Sequence, residues 1–186
     1  MEITEIGKNN MIKLKDILLE DIQKNLVVFD FDDTLMKTDS KVYITHRDGS
    51  TETANAKEWN KYTKKSGDKF NFDEFFTVDY LINPVEIPKQ MGLLKSHIKF
   101  GDVVWILTNR ENTNPIKKYF GGKGLNVGVY GTGTPNPEGK LKWFESKIRE
   151  GYIDITFYDD SKKNIDAVKM LKNKYLDIRL RLHLVK

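Results

Sequence analysis

Short, nearly all-apolar runs separated by polar segments predict the strands of a sheet that is covered on both faces. Four of these runs are four to six residues long and end next to polar or acidic residues, as is typical of buried parallel strands. A fifth run alternates apolar and polar residues and predicts an edge strand. The predicted strands are Leu26–Phe29, Val103–Leu107, Val127–Tyr130, Ile153–Tyr158 and Asp177–Leu184.

Segments with helical spacing of apolar residues lie between these strands and before the first one. This alternation of strand and helix predicts an α/β domain built on a central parallel five-stranded sheet. We expect residues 25–186 to form that core, and residues 1–24 to form an N-terminal tail and helix. The predicted helices are Met11–Gln23, Pro88–Lys99, Pro115–Phe120, Glu138–Glu150 and Lys162–Lys174.

The stretch from about 40 to 85 interrupts the alternation, and we interpret it as a small insertion or cap. Two β-like segments, Val42–Thr45 and Ser50–Thr53, flank an Asp-Gly pair, which is a strong hairpin signal. A short helix is predicted over Asn55–Lys65, and a cluster of phenylalanines follows it. His46 lies beside the hairpin turn and is expected to be simply exposed.

Composition narrows the class of protein without naming a partner. The 186 residues include 31 Lys and Arg and 27 Asp and Glu, for a formal net charge of +4. The chain contains no Cys, which excludes disulfides, thiolate metal sites and cysteine nucleophiles. The apolar runs fall far short of the roughly 18 residues that a membrane span needs. We therefore expect a cytoplasmic protein, of the producing or host cell, with no membrane partner.

Polar side chains converge where the predicted strands end, which is where open parallel sheets bind ligands. Carboxylates that crowd together need a cation, because like charges repel one another. Hard oxygen ligands in this number suit Mg²⁺, often shared with a substrate phosphate. Asp30, Asp32 and Asp33 follow the first strand, Thr108, Asn109 and Arg110 the second, and Asp159 and Asp160 the fourth, while Lys140 lies near the start of the helix before it.

Asp30 and Asp32 are two residues apart, so both side chains point to the same side at the end of the strand. One can attack phosphorus while the other serves as acid and then as base. Phosphoryl transfer mainly needs this kind of positioning together with neutralisation of charge.

These residues resemble the motifs of the haloacid dehalogenase (HAD) superfamily of phosphohydrolases. The hairpin and the Phe-rich segment resemble those of uncharacterised phage-type members. The resemblance covers residues from roughly 26 to 184 and implies a three-layer, Rossmann-like fold whose first strand is central, with the second and fourth beside it. The matching segments are Asp30-Phe31-Asp32-Asp33-Thr34-Leu35, then Thr108, then Lys140, then Asp159-Asp160.

The resemblance also implies a mechanism. Asp30 would attack in line and form an aspartyl-phosphate, and Asp32 would protonate the leaving oxygen and then activate water. Mg²⁺ would be held by Asp30, by the backbone carbonyl of Asp32, and by one or both of Asp159 and Asp160. Thr108 would donate a hydrogen bond to a phosphoryl oxygen, and Lys140 would neutralise that group and steady the nucleophile.

Several roles have alternatives at this stage. Lys142 could replace Lys140, although apolar residues 3, 4 and 8 positions after Lys140 favour Lys140 on the buried edge of its helix. Asn109 and Arg110 could bind a substrate phosphate, but Arg110 could equally pair with a carboxylate. Asp33 is expected to hydrogen-bond the following turn rather than to join the chemistry.

The predicted function is a Mg²⁺-dependent phosphatase acting on a phosphorylated small molecule or nucleotide. A phosphotransferase on the same site is one alternative. The other is a nucleic-acid-associated protein or polynucleotide end phosphatase that uses the basic, aromatic segment 55–76. A solvated lysine face with Trp59 packed inward would explain that segment as well. The segment carries Lys57, Lys61, Lys64, Lys65 and Lys69 beside Trp59 and Tyr62.

Overall fold

The computed structural model describes residues 25–186, which contain ten strands. The predicted helix over Met11–Gln23 and the tail before it lie outside the described residues. The strands are β1 (Leu26–Phe29), β2 (Met36–Lys37), β3 (Lys41–Thr45), β4 (Thr51–Asn55), β5 (Lys69–Asn71), β6 (Val85–Glu86), β7 (Val103–Thr108), β8 (Gly128–Gly131), β9 (Asp154–Asp159) and β10 (Arg179–Leu184).

Seven helices connect the strands within the same residues. Three of the longer ones have a proline in their first turn, where the missing N–H costs nothing and the fixed φ suits the helix. The helices are α1 (Ala56–Lys61), α2 (Asp73–Phe76), α3 (Pro88–Lys99), α4 (Asn114–Gly122), α5 (Pro137–Arg149), α6 (Lys162–Lys169) and α7 (Leu171–Lys174).

The central sheet has five parallel strands in the order β10-β9-β1-β7-β8. All four residues of β1 are buried, because the strand lies in the middle of the sheet with helices on both faces. The carboxyl ends of β1, β7 and β9 are adjacent, since β1 pairs with both neighbours in register. The predicted α/β class, the parallel five-stranded sheet and the position of the first strand are confirmed.

The two faces of the sheet have separate cores, which follows from the alternation of side chains along β1. Leu26 and Val28 belong to a cluster that includes Trp143 and Phe144 of α5. Val27 and Phe29 belong to the opposite cluster, which includes residues of α3 and α4. The fold is therefore three-layered, with helices above and below a buried sheet.

The predicted insertion is a small antiparallel sheet, in the order β4-β3-β5, together with α1 and α2. The expected hairpin is present: Thr45 pairs with Thr51, and Gly49 takes the left-handed conformation (φ 86°) that the turn requires. Apolar residues of β3 and β4 pack under the aromatic side chains of Trp59 and Phe72. Trp59 thus lies inward, as the more conservative interpretation of this segment expected.

Two predicted helices and one predicted exposure need correction. The helix predicted over Asn55–Lys65 ends at Lys61, because Tyr62 becomes extended and its hydroxyl donates to Asp68. The helix predicted over Lys162–Lys174 is divided at Met170 into α6 and α7. His46 is not simply exposed, since its ring lies 2.9 Å from the Asp68 carboxylate and 3.2 Å from that of Glu52.

Within residues 25–186, every helix is too short or too polar to cross a membrane.

Candidate active site

Asp30 and Lys140 form the centre of the site. Asp30 is the first residue after β1, and its backbone N–H donates to Tyr158 of the neighbouring strand. Lys140 is completely buried on α5, and its Nζ donates to Oδ1 of Asp30 at 2.5 Å. Trp143 and Phe144, one turn further along α5, anchor that face of the helix in the core. The helix therefore delivers the ammonium group to the nucleophile predicted from the sequence.

Lys142 is excluded from this centre by its orientation. Its side chain is 70% exposed and pairs with Glu138 on the outer face of α5. Of the two lysines that the sequence left open, Lys140 is therefore the one that lies in the site.

Asp159 and Asp160 leave β9 in different directions. Asp159 is fully buried and accepts hydrogen bonds from Lys140, from the Ser161 backbone N–H and from the Asn164 side chain. Asp160 receives a single side-chain hydrogen bond among the described residues, from Asn60. Because Asp159 is already saturated with donors, Asp160 is the better candidate for direct metal binding.

Without a further cation, the charged form of the acidic groups at the centre is unfavourable. Burial raises the pKa of Asp30 well above its ordinary value, even though Lys140 opposes this, and the nearby carboxylates raise it further. Burial and the charge of Asp159 raise the pKa of Asp160 to about 7. The pKa of Lys140 is raised despite burial, because both carboxylates stabilise its charge. A divalent cation beside Asp30 and Asp160 would remove this electrostatic penalty.

The donor set fits Mg²⁺. Carboxylate oxygens of Asp30, Asp159 and Asp160 all lie within 4.8 Å of one another. Hard oxygen donors converging from two adjacent strand ends are the ligands that this cation takes in proteins. The side chain of Asp32 lies outside this cluster, and its predicted contribution through the backbone carbonyl stays a prediction.

Arg110 pairs with the carboxylate of Asp32, which is one of the two roles that the sequence left open for it. Nε of Arg110 donates to Oδ2 of Asp32 at 2.9 Å and Nη2 donates to Oδ1 at 2.7 Å, so the pair is bidentate. Thr38 donates to the same Oδ1 at 2.9 Å. These three bonds fix the orientation of the carboxylate that is predicted to act as acid and base. Binding of substrate phosphate by Arg110 stays a prediction.

Thr108 closes β7 at the floor of the site and is buried. Its hydroxyl oxygen accepts the Arg110 backbone N–H at 3.2 Å, and within residues 25–186 the hydroxyl hydrogen has no acceptor, so it can be donated to a ligand. Asn109 follows and lines the same cavity. The predicted hydrogen bond from Thr108 to a phosphoryl oxygen is chemically available.

Asp33 lies at the edge of the site. It has the left-handed conformation (φ 57°), which Asp tolerates better than most residues. Burial and the charge of Asp32 raise the pKa of Asp33, while Lys57 and Lys37 lower it. Asp33 therefore lies near lysines of the insertion and of β2.

The insertion contributes residues that the sequence did not single out. Asn60 of α1 reaches across to Oδ2 of Asp160 at 3.1 Å. Phe75 of α2 stacks on the Arg110 guanidinium, 4.8 Å from the ring centre. Arg110 also donates to the backbone oxygen of Glu74 and to Ser40. The insertion therefore contacts both Arg110 and Asp160 of the site. No local pattern could have revealed these contacts, which join residues 35 to 100 positions apart.

A narrow cavity of about 60 Å³ separates the insertion from the sheet. Its floor carries Asp30, Asp32 and Thr108, and its roof carries aromatic side chains that include Trp59 and Phe72. It therefore combines a polar floor able to hold a phosphoryl group with an apolar roof that limits water.

Neither a family of known proteins nor a curated protein sequence matches this chain. Among solved structures, the fold is similar to a HAD-superfamily hydrolase from Ehrlichia chaffeensis, with 15% sequence identity and a TM-score of 0.46. The similarity covers 79% of this chain and 83% of that one.

Proposed function

We propose that this chain is a Mg²⁺-dependent phosphatase that hydrolyses phosphomonoesters through an aspartyl-phosphate on Asp30. The observation that carries the proposal is the arrangement around that residue. A completely buried ammonium group contacts one oxygen of its carboxylate, and a second, clamped carboxylate and a buried hydroxyl share the same small cavity. The resemblance of the motifs to HAD phosphohydrolases supports the same reaction.

The first step forms the covalent intermediate. Oδ2 of Asp30 attacks phosphorus, since Oδ1 is held by Lys140, and the bond from phosphorus to the leaving oxygen breaks. Asp32 gives its proton to that oxygen, so the product leaves as an alcohol. Thr108 donates to a phosphoryl oxygen, and Lys140 offsets negative charge at the nucleophile.

The second step releases phosphate. Asp32, now a carboxylate, takes a proton from water, and the water oxygen attacks phosphorus. The bond between phosphorus and Oδ2 breaks, which restores Asp30 and leaves Asp32 protonated for the next cycle. The clamp from Arg110 keeps Asp32 in place through both proton transfers.

Mg²⁺ would be held by Asp30 and Asp160, with Asp159 behind them. When bound, it supplies positive charge that reduces repulsion between the carboxylates and the anionic substrate. Within the site, Lys140 contacts Asp30 and Asp159, and Arg110 contacts Asp32.

Hydrolysis of 4-nitrophenyl phosphate tests the proposal, with Mg²⁺ present and then removed with EDTA. We expect metal-dependent turnover that Asp30→Asn abolishes. Asp32→Asn should give a burst of one nitrophenolate per enzyme followed by slow turnover, because this leaving group needs no proton but the water does. Metal-independent hydrolysis, or full activity of Asp30→Asn, would refute the mechanism. Lys142→Met is the matched control and should retain wild-type turnover.

A further inference from the structure

A second, wider cavity lies beside the narrow one and is lined by lysines from separate parts of the chain. It holds about 740 Å³, against about 60 Å³ above Asp30. We call it the lysine groove. Its six lysines come from β2, α1, the start of α6 and the last residue of the chain: Lys37, Lys57, Lys61, Lys162, Lys163 and Lys186.

The convergence is the informative feature. A solvated helix face would carry Lys57 and Lys61 alone, whereas the fold brings four other lysines to the same cavity. Three aspartates also line it, so lysines outnumber aspartates six to three among the lining residues. Lys162 pairs with Asp166 at 2.5 Å, and the groove keeps a positive surplus after that pair is set aside. Such a surface attracts an anion with several charges.

The lysine groove opens directly from the active site. Asn60 and Asp160 line both cavities, so the boundary between them is one hydrogen-bonded pair of side chains. A substrate whose phosphoryl group reaches Asp30 can continue past this pair toward the lysines. The site and the groove are therefore neighbours that share one wall, and a chain with repeated negative charges can contact both.

The narrow cavity is too small for a large substrate, so most of such a substrate must lie outside it. A space of about 60 Å³ holds roughly four or five waters, which is about the size of a phosphoryl group. Asp30 is only 6% exposed beneath the insertion, which favours a narrow, flexible strand end over the blunt end of a duplex. A flexible single strand can place its terminal phosphate there.

Resting on the phosphatase proposal above, we propose that the lysine groove binds the backbone phosphates of a single-stranded nucleic acid whose terminal phosphomonoester is hydrolysed at Asp30. Lysines supply sequence-independent contacts to phosphates, and their number sets the salt dependence of binding. The substrate class is therefore a phosphorylated oligonucleotide end, and free mononucleotides lack the additional phosphates that the groove would bind.

Binding can be tested separately from catalysis. The full-length Asp30→Asn protein, with Mg²⁺, is titrated against fluorescent single-stranded oligonucleotides that carry a 5′- or a 3′-phosphate. Neutralising Lys57, Lys61 and Lys163 together by alanine should weaken binding and lower the slope of log K against log salt by about 2, since each contact with a single strand contributes about 0.7. The matched control replaces three lysines outside the groove, Lys99, Lys169 and Lys172, and should keep the original slope. Equal slopes for the two triple variants would overturn the proposal.

Catalysis provides the second readout, in the otherwise wild-type chain. The groove variant should lose at least ten-fold more kcat/KM on the phosphorylated oligonucleotide than on 4-nitrophenyl phosphate. If a nucleoside triphosphate displaces the oligonucleotide at equal phosphate concentration, the groove binds a small polyphosphate and the proposal is wrong. If the protein binds oligonucleotide through the groove but hydrolyses no phosphomonoester, the phosphatase proposal and hydrolysis at Asp30 are refuted, whereas binding of nucleic acid by the groove stands.

Discussion

Replacing Lys140 by Met removes the only cation that lies between Asp30 and Asp159 among the described residues. Met is of similar length and keeps the packing of α5 beside Trp143 and Phe144, so the change isolates the charge. The ammonium group is completely buried and lies 2.5 Å and 2.7 Å from the two carboxylates. Its loss leaves two buried acids facing each other without a counter-charge.

The magnitude follows from that burial. Breaking a buried ion pair by removing one partner costs about 3–5 kcal/mol, so the free energy of unfolding at pH 7 should fall by that amount. For a chain of this size, such a loss lowers Tm by roughly 6–20 °C. The loss should shrink toward pH 4. Burial already holds the folded-state pKa of Asp30 above its unfolded value, and removing Lys140 raises it further. An acid whose pKa is raised in the folded state lowers the free energy of unfolding as the pH rises. Below that pKa the acid is protonated, and the loss disappears.

Urea denaturation followed by circular dichroism, in EDTA and at pH 4 and 7, measures both effects. The matched control is Lys142→Met, two residues away in the same helix, whose exposed pair with Glu138 should contribute less than about 0.5 kcal/mol. Adding Mg²⁺ to the Lys140 variant should recover part of the loss, because a cation again lies among the carboxylates. Two results would show that the ammonium group does not neutralise this centre. One is an equal loss of unfolding free energy in Lys140→Met and Lys142→Met at pH 7, and the other is a loss in Lys140→Met that is the same at pH 4 as at pH 7.

Three other predictions concern the site and the sheet. With its pKa raised to about 7, Asp160 should make the metal-free protein less stable by up to about 4 kcal/mol as pH rises from 4 through 7, and Mg²⁺ or Asp160→Asn should flatten that loss in urea denaturation. Arg110→Lys keeps the charge but loses the two-pronged clamp, so stability should fall by about 2–4 kcal/mol and turnover of 4-nitrophenyl phosphate should fall with it. Gly128→Ala would place a methyl group 2.3 Å from Trp105 and should cost about 1–3 kcal/mol in thermal denaturation. Gly121→Ala, in α4, meets no neighbour and should instead raise stability by up to about 1 kcal/mol.

The sheet and the acidic centre could be predicted because each rests on a local signal. β1 is a run of apolar residues followed at once by Asp30, and the same arrangement recurs where β9 ends at Asp159. The rules of parallel sheets then bring those ends together without further information. Lys140 could be placed because its apolar neighbours fix which face of α5 is buried.

The contacts of the insertion could not be predicted in this way. Asn60 is polar, half-buried and part of no motif, and it matters only because the fold brings it to Asp160. The sequence left Arg110 a carboxylate or a substrate anion as its partner, and its contacts with Phe75 and Ser40 come from a segment that no local pattern places beside it. The lysines of the groove are spread from Lys37 to Lys186, so their convergence exists only in three dimensions.

The charge distribution gives the molecule two adjoining regions of opposite sign. The carboxylates at the ends of β1 and β9 would repel a phosphate, and binding of a cation would reduce that repulsion only at the centre. The lysine groove attracts the same phosphate from the other side of Asp160. An anionic chain that binds along the groove therefore reaches the acidic centre with its terminal group, beside Asp160, which is the better candidate for direct metal binding. A small net charge of +4 is what remains when these two regions are summed with the rest of the surface.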